Sequence, residues 1–157
     1  MKITKRWLKE KCACVDGMAW FLKNYSKEVT VEELVEKLIN TAEKEKLKWG
    51  NWLLNKIFNR EQKIRYAIFA AEQVLSFYEN KYPGDKRPRL AIEAAETVLK
   101  EDTKTNRVAA DDAADAAYDA AYAAAADDAY PAASAAAATA SAAAAAVAAA
   151  AEAAASA

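Results

Sequence analysis

Arg65–Ala95 reads RYAIFAAEQVLSFYENKYPGDKRPRLAIEAA and decides the fold class. With Ile64 just before it, Ile68, Ala71, Leu75 and Tyr78 recur three or four residues apart, the spacing of one buried helix face. Ala67, Ala70 and Ala71 let a neighbouring helix come close. Asn59 with Gln62 supplies a start signal. Tyr82-Pro83-Gly84-Asp85 supplies the stop. Pro then Gly at the centre of a four-residue turn predicts a type II turn, with Gly84 at positive φ. Asp85 then caps a second helix that carries Pro88 in its first turn. A helix, a tight turn and a helix form the elementary unit of an all-α fold.

The cations of this unit are placed unusually. Lys86, Arg87 and Arg89 sit at a helix N-terminus, where positive charge opposes the dipole by roughly 0.3–1 kcal/mol each. Two readings follow: structural salt bridges to Asp85 and the tail aspartates, or a grip on an external anion. Arg65 and Tyr66 stand in the first turns of the preceding helix.

Towards the N-terminus, Trp49 and Trp52 lie three apart, on one helix face with Leu53 and Ile57. They read as core or as a ligand-stacking pair. Thr30 with Glu33 forms a capping box ahead of Leu34, Val35, Leu38 and Ile39, one apolar face. Asp16 is placed to cap a helix bearing Met18, Trp20, Phe21, Leu22 and Tyr25. Lys2–Lys11 suggests a short first helix with Trp7 and Leu8 inward. Cys12 and Cys14, one residue apart, read as two half-buried thiols without a metal site, since zinc needs about four ligands.

Towards the C-terminus, Thr103 and Thr105 are candidate caps for a helix from about Asn106 to Ala129. Asp111, Asp115, Tyr118, Asp119 and Tyr122 share about a third of its circumference at 100° per residue, opposite a face of alanine. Pro131 opens a second Ala-rich helix, expected to bury little per residue and add little stability.

These elements predict one all-α domain over 1–157, a compact bundle of about six to eight helices ending in two Ala-rich helices. Charge divides it. All 22 cations precede Val108, so 1–107 is a basic body at net +6 (22 cations against 16 acids) and 108–157 an Ala-rich acidic tail at −7. The expected arrangement packs the tail on the body. The alternative leaves a basic surface open to an anionic partner. The chain has no His, and it shows no glycine-rich phosphate loop, nucleophile elbow or metal-ligand spacing, which argues against an enzyme and against a cofactor. Nucleic acid is not expected as a partner, because the basic excess is modest and no nucleic-acid motif is present. The charged MKITKRWLKEK start is unlike a signal peptide, and alanine is too weakly apolar for a typical membrane span. A cytoplasmic protein is expected. The alanine faces also suit a homo-oligomer.

Three pieces carry a family resemblance: Cys14-x-x-Gly17-x-x-Trp20-Phe21, the run Arg65 to Val74, and Tyr82-Pro83-Gly84-Asp85-Lys86-Arg87-Pro88-Arg89 followed by Ala91-Ile92-Glu93-Ala94-Ala95. Together they resemble the immunity-protein family of bacterial polymorphic-toxin systems, also carried by phages. The resemblance runs from about Cys14 to Tyr130. The chain departs from the family pattern at its end, where Arg and larger residues in the alanine helices and an amphipathic finish are missing. The resemblance implies a small, non-enzymatic, all-α protein that binds and inhibits a protein toxin or defence component. On this reading the contact surface comprises Arg65, Tyr66, Tyr82, Lys86, Arg87 and Arg89. An alternative is sequestration of a small anionic, nucleotide-type signal, with Trp49, Trp52 or Tyr82 stacking the base and the arginines holding phosphate.

Overall fold

In a computed structural model, which describes residues 1–155 and the side chains of 1–148, the chain divides into two compact units between Phe58 and Asn59. This division falls well before Arg107/Val108, where the composition changes.

The first unit is built from β1 (Lys2–Ile3), α1 (Lys5–Glu10), α2 (Val15–Asn24), β2 (Val29–Thr30), α3 (Val31–Asn40) and α4 (Lys46–Ile57). Helix α1 is shorter than Lys2–Lys11. Thr4 accepts the Trp7 N–H at 3.1 Å and starts the helix, freeing Lys2 and Ile3 to pair antiparallel with Thr30 and Val29. β-branched Ile3 and Val29 favour this extended pairing and are both buried. Thr30 ends β2 and opens α3 with the capping box expected, its Oγ1 accepting the Glu33 N–H while Glu33 accepts the Thr30 N–H. Leu34 and Leu38 are buried, but Ile39 is exposed. Helix α2 is capped by Cys14 and not by Asp16, which lies in its first turn. Both thiols are exposed rather than half-buried. Cys12 holds a left-handed φ of 57° in the tight connection between α1 and α2. The core comprises Ile3, Leu8, Trp20, Phe21, Val29, Leu34, Leu38 and Leu53, with Trp7, Trp49 and Trp52 packed around it.

The second unit holds α5 (Arg60–Lys81), α6 (Arg87–Lys100), α7 (Lys104–Ala126) and α8 (Tyr130–Ala155). The eight helices and one two-residue strand pair among the described residues make the fold all-α. Asn59 and Gln62 form a reciprocal capping box for α5. Ile64, Ile68, Ala71, Leu75 and Tyr78 are all buried, as their spacing predicts. The turn after α5 closes through Asp85 N–H to Tyr82 O at 3.1 Å. Gly84 has no positive φ, so the turn is not type II. Pro83 suits position two of a type I turn equally well, and that turn needs no left-handed residue.

The alanine helices are central rather than peripheral. One cluster joins Ile64, Ile68 and Leu75 of α5 and Ile92 and Val98 of α6 to Ala110 of α7 and Ala142 and Ala146 of α8. A second joins Tyr78 to alanines of α7 and α8, and a third joins Ala91 to four alanines of α7 and α8. Ala135, Ala136, Ala140, Ala142, Ala143 and Ala146 are each fully buried. A methyl group buries little alone, but it lets backbones approach closely, so dispersion contacts accumulate along the helix. Buried Thr139 keeps this apolar by turning its hydroxyl onto Ala136 O at 2.7 Å. Tyr130–Ala148 is long and apolar enough to cross a membrane by length and composition. In the fold, its buried alanines face the clusters just described.

Among the described residues, the tail packs on α5 and α6 chiefly through alanine, with one polar tie from the Tyr82 hydroxyl to Asp127. Asp111, Asp112, Asp115 and Asp119 are exposed and form no ion pair among the described residues. The Tyr/Asp stripe of α7 therefore faces solvent, with Tyr118 OH 3.5 Å from Ser141 Oγ on α8.

Candidate binding surface

The turn between α5 and α6 places an acid at the centre of the basic cluster. Asp85 accepts the Tyr78 hydroxyl at 2.6 Å, the Arg87 backbone N–H at 3.0 Å, and the Arg87 guanidinium from Nε (3.0 and 3.1 Å) and Nη2 (2.6 Å). It thereby satisfies a donor of the α6 N-terminus, although Lys86 is the formal cap residue and makes no side-chain cap bond. The Arg87 hydrogen bonds, aided by the Tyr78 hydroxyl, hold the Asp85 carboxyl well below its usual range. Burial first, and the bond to Asp85 second, push the Tyr78 hydroxyl up to about 12.

Arg89 makes a parallel two-pronged pair with Glu79, Nε to Oε1 and Nη2 to Oε2, each at 2.6 Å. This tethers the start of α6 to the last turn of α5 and lowers the Glu79 carboxyl. Tyr82 stacks at 5.0 Å on Tyr78 and donates its hydroxyl to Asp127 at 3.0 Å, linking the turn to the end of α7. Of the two readings of this cluster, structural salt bridges describe Arg87 and Arg89. Their partners are Asp85 and Glu79, and not the tail aspartates. Lys86 remains exposed.

The remaining site residues lie elsewhere. Arg65 pairs with Glu61 one turn back on the surface of α5, at 2.8 Å. Residues 65 and 82 are about 25 Å apart along the helix, at 1.5 Å rise per residue. Arg65 and Tyr66 therefore do not join the Arg87/Arg89 cluster. Trp49 and Trp52 belong to the first unit, where Trp49 packs on Trp20 at 5.7 Å and Trp52 on Trp7 at 6.2 Å. Trp49 and Trp52 thus belong to the first unit and the other six positions to the second, where Arg65 and Tyr66 stand apart from the Arg87/Arg89 cluster.

Tyr66 instead belongs to a ridge. Tyr66, Phe69 and Phe77 fall within about 80° of arc on α5, directly opposite the buried Ile64/Ile68/Leu75 face. They are 37%, 57% and 56% exposed. The ridge extends about 17 Å. Phe69 and Phe77 were absent from the residues singled out by sequence. The same 100° wheel that marks Ile64 and Ile68 as buried places both rings on the far side of the helix.

Residues 54–157 match the family described as Imm-5 like putative immunity protein. The chain belongs to this family. Residues 1–61 match the family described as YdhT N-terminal domain. No curated protein and no solved structure matches the chain. The two matched ranges overlap around the point where the units divide, so the Imm-5 like match covers the whole second unit, including the Asp85 turn and the α5 ridge. Membership assigns this Imm-5 like protein, in general terms, a toxin-neutralising role.

Proposed function

We propose that this Imm-5 like protein is a non-enzymatic neutralising binder that works in the cytoplasm and blocks a protein toxin or defence component through the α5 ridge. One observation carries the choice of surface: three aromatic rings stand on the solvent side of a helix whose opposite face fills the core of the matched unit. Placing Phe69 and Phe77 in water gains nothing for the fold. Aromatic side chains are the residues on which protein interfaces concentrate their energy. Arg65, exposed at the N-terminal end of the ridge, adds a guanidinium that can trade Glu61 for a partner carboxylate.

The nucleotide-type alternative is less well supported. A phosphate at the α6 N-terminus would have to displace Asp85, which already occupies the position of a bound anion, and Arg89 would have to leave Glu79.

The test is affinity capture from bacterial lysate with wild type beside Phe69→Asp/Phe77→Asp. The double variant should keep its helical circular dichroism and lose a specific captured protein. Co-expression should then relieve growth inhibition by that protein with wild type and not with the variant. Full protection by the folded double variant would exclude the ridge as the neutralising surface.

A further inference from the structure

The first unit holds a feature that the proposed α5 ridge leaves unused. Helices α1–α4 enclose an apolar cavity of about 160 Å³, walled by Trp20, Trp49, Trp52, Leu34, Cys14 and Gly17. Edge-on packing of Trp7 against Trp52 and tilted packing of Trp20 against Trp49 brace the walls. Gly17 helps keep the space open: a Cβ there would meet Cys14 Sγ at 3.3 Å and Trp49 Cδ1 at 3.4 Å. Cys14 sits at the rim because its Sγ caps α2, accepting the Gly17 N–H at 3.4 Å. Neither Trp49 nor Trp52 donates its indole N–H within the protein among the described residues.

A second, open cavity of about 660 Å³ shares Trp20 and Trp49 with the first. Its lining differs in character, with Asp16, Glu43 and Glu45 beside Lys23 and Lys44. A hydrophobic slot thus opens beside a surface carrying both charge signs.

We propose that this double cavity binds a ligand consisting of one aromatic ring on a polar, charge-bearing stem. The size of the slot sets the ring number, since an apolar cavity of about 150 Å³ accepts benzene. The walls are apolar apart from Lys48, so they favour a ring over a charged head group, because burying an unpaired charge is costly. The mixed charges outside receive the stem, and a free indole N–H offers it a directional contact. A ring of this kind comes either from a small molecule or from the side chain of a peptide.

All four tryptophans lie in this unit, so their fluorescence reports on it selectively. The full-length protein is titrated with benzyl alcohol, then with a blocked Lys-Phe-Glu tripeptide, exciting where neither absorbs. Ala13→Leu and Cys14→Leu, from two different points of the wall, serve as filled-cavity variants, with folding checked by circular dichroism. Saturable quenching or enhancement is expected in wild type, with affinity weakened about tenfold or more in a folded variant. Bound probe should also slow alkylation of Cys14 by iodoacetamide, a measurement that needs no variant. Tighter binding of the tripeptide identifies a peptide side chain as the source of the ring; equal or weaker binding identifies a small molecule. Absence of saturation with both probes, binding unaffected in both folded variants, or unchanged Cys14 alkylation at saturating probe would overturn the proposal.

Discussion

Replacing Asp85 should unfold the second unit more readily than any single change at an exposed cation. Asp85→Ala removes the acceptor of the Tyr78 hydroxyl, and Tyr78 is only 1% exposed. An orphaned buried hydroxyl costs about 1–3 kcal/mol. Loss of the bond to the Arg87 N–H resembles loss of a helix cap, about 1 kcal/mol. The guanidinium pair adds less, at most about 1 kcal/mol, because the Arg87 side chain is 40% exposed. Together these give about 2–5 kcal/mol. Asp85→Asn keeps one acceptor oxygen in place of two and should cost about half as much. Tyr78→Phe loses one hydrogen bond to a charged group, about 1.5 kcal/mol. In the Asp85→Ala background, the same Tyr78→Phe change should be neutral to stabilising, because it removes the hydroxyl that Asp85→Ala leaves orphaned. Urea unfolding at pH 7, followed by far-ultraviolet circular dichroism, measures all four chains. The pH dependence provides a second check. The folded-state pKa of Asp85 is lowered, so its contribution is fully present above the unfolded value near 3.9 and fades as pH falls towards the folded value. Asp85→Asn should abolish that acid-side loss. A cost under about 1 kcal/mol for Asp85→Ala, with additive Tyr78 and Asp85 effects, would refute the assignment of Asp85 as the hub of the turn.

Other outcomes follow from the same geometry. Tyr78 is raised to about 12 against roughly 10 when unfolded, so stability should fall as pH rises from about 10 to 12; Tyr78→Phe should flatten that limb in an alkaline unfolding series. Ala136→Leu, at a fully buried contact of α8, should overpack the helix and cost about 1–3 kcal/mol in urea melts. Arg89→Ala breaks an ion pair whose arginine is 47% exposed, and should cost under about 1 kcal/mol, with the loss shrinking in high salt. Asn59→Ala removes the capping box of α5 and should cost about 1 kcal/mol by the same assay.

Much of the fold was legible because it rests on local rules. The buried stripe of α5, the capping boxes at Thr30 and Asn59, and the start of α7 at Thr103 each depend on residues within one or two turns. What was not legible depends on distant partners. The pairing of Ile3 with Val29 spans the whole of α1 and α2, and a two-residue strand leaves no periodicity to read. Arg89 finds Glu79 across a turn whose type the Pro-Gly pair leaves open. Alanine gives the weakest signal of all, since it is compatible with an exposed or a buried position. Nothing local distinguishes buried Ala136 from exposed Ala123, and only the packing of α8 against three helices does so.

The two proposed sites differ in kind, and side-chain size explains the difference. In the second unit, methyl groups pack α7 and α8 closely on their neighbours, and the larger rings that do not fit such a core, Phe69 and Phe77, are turned outward. The binding surface proposed there is the outer face of a helix. In the first unit, four indoles share a core too small to interlock them fully, and Gly17 and Cys14 leave the gap between them unfilled. The binding site proposed there is a concavity. Filling the first-unit slot should therefore leave toxin capture unaffected, while charging the α5 ridge should leave the tryptophan fluorescence response to benzyl alcohol intact. Loss of both responses in either variant with its circular dichroism intact would refute the independence of the two sites.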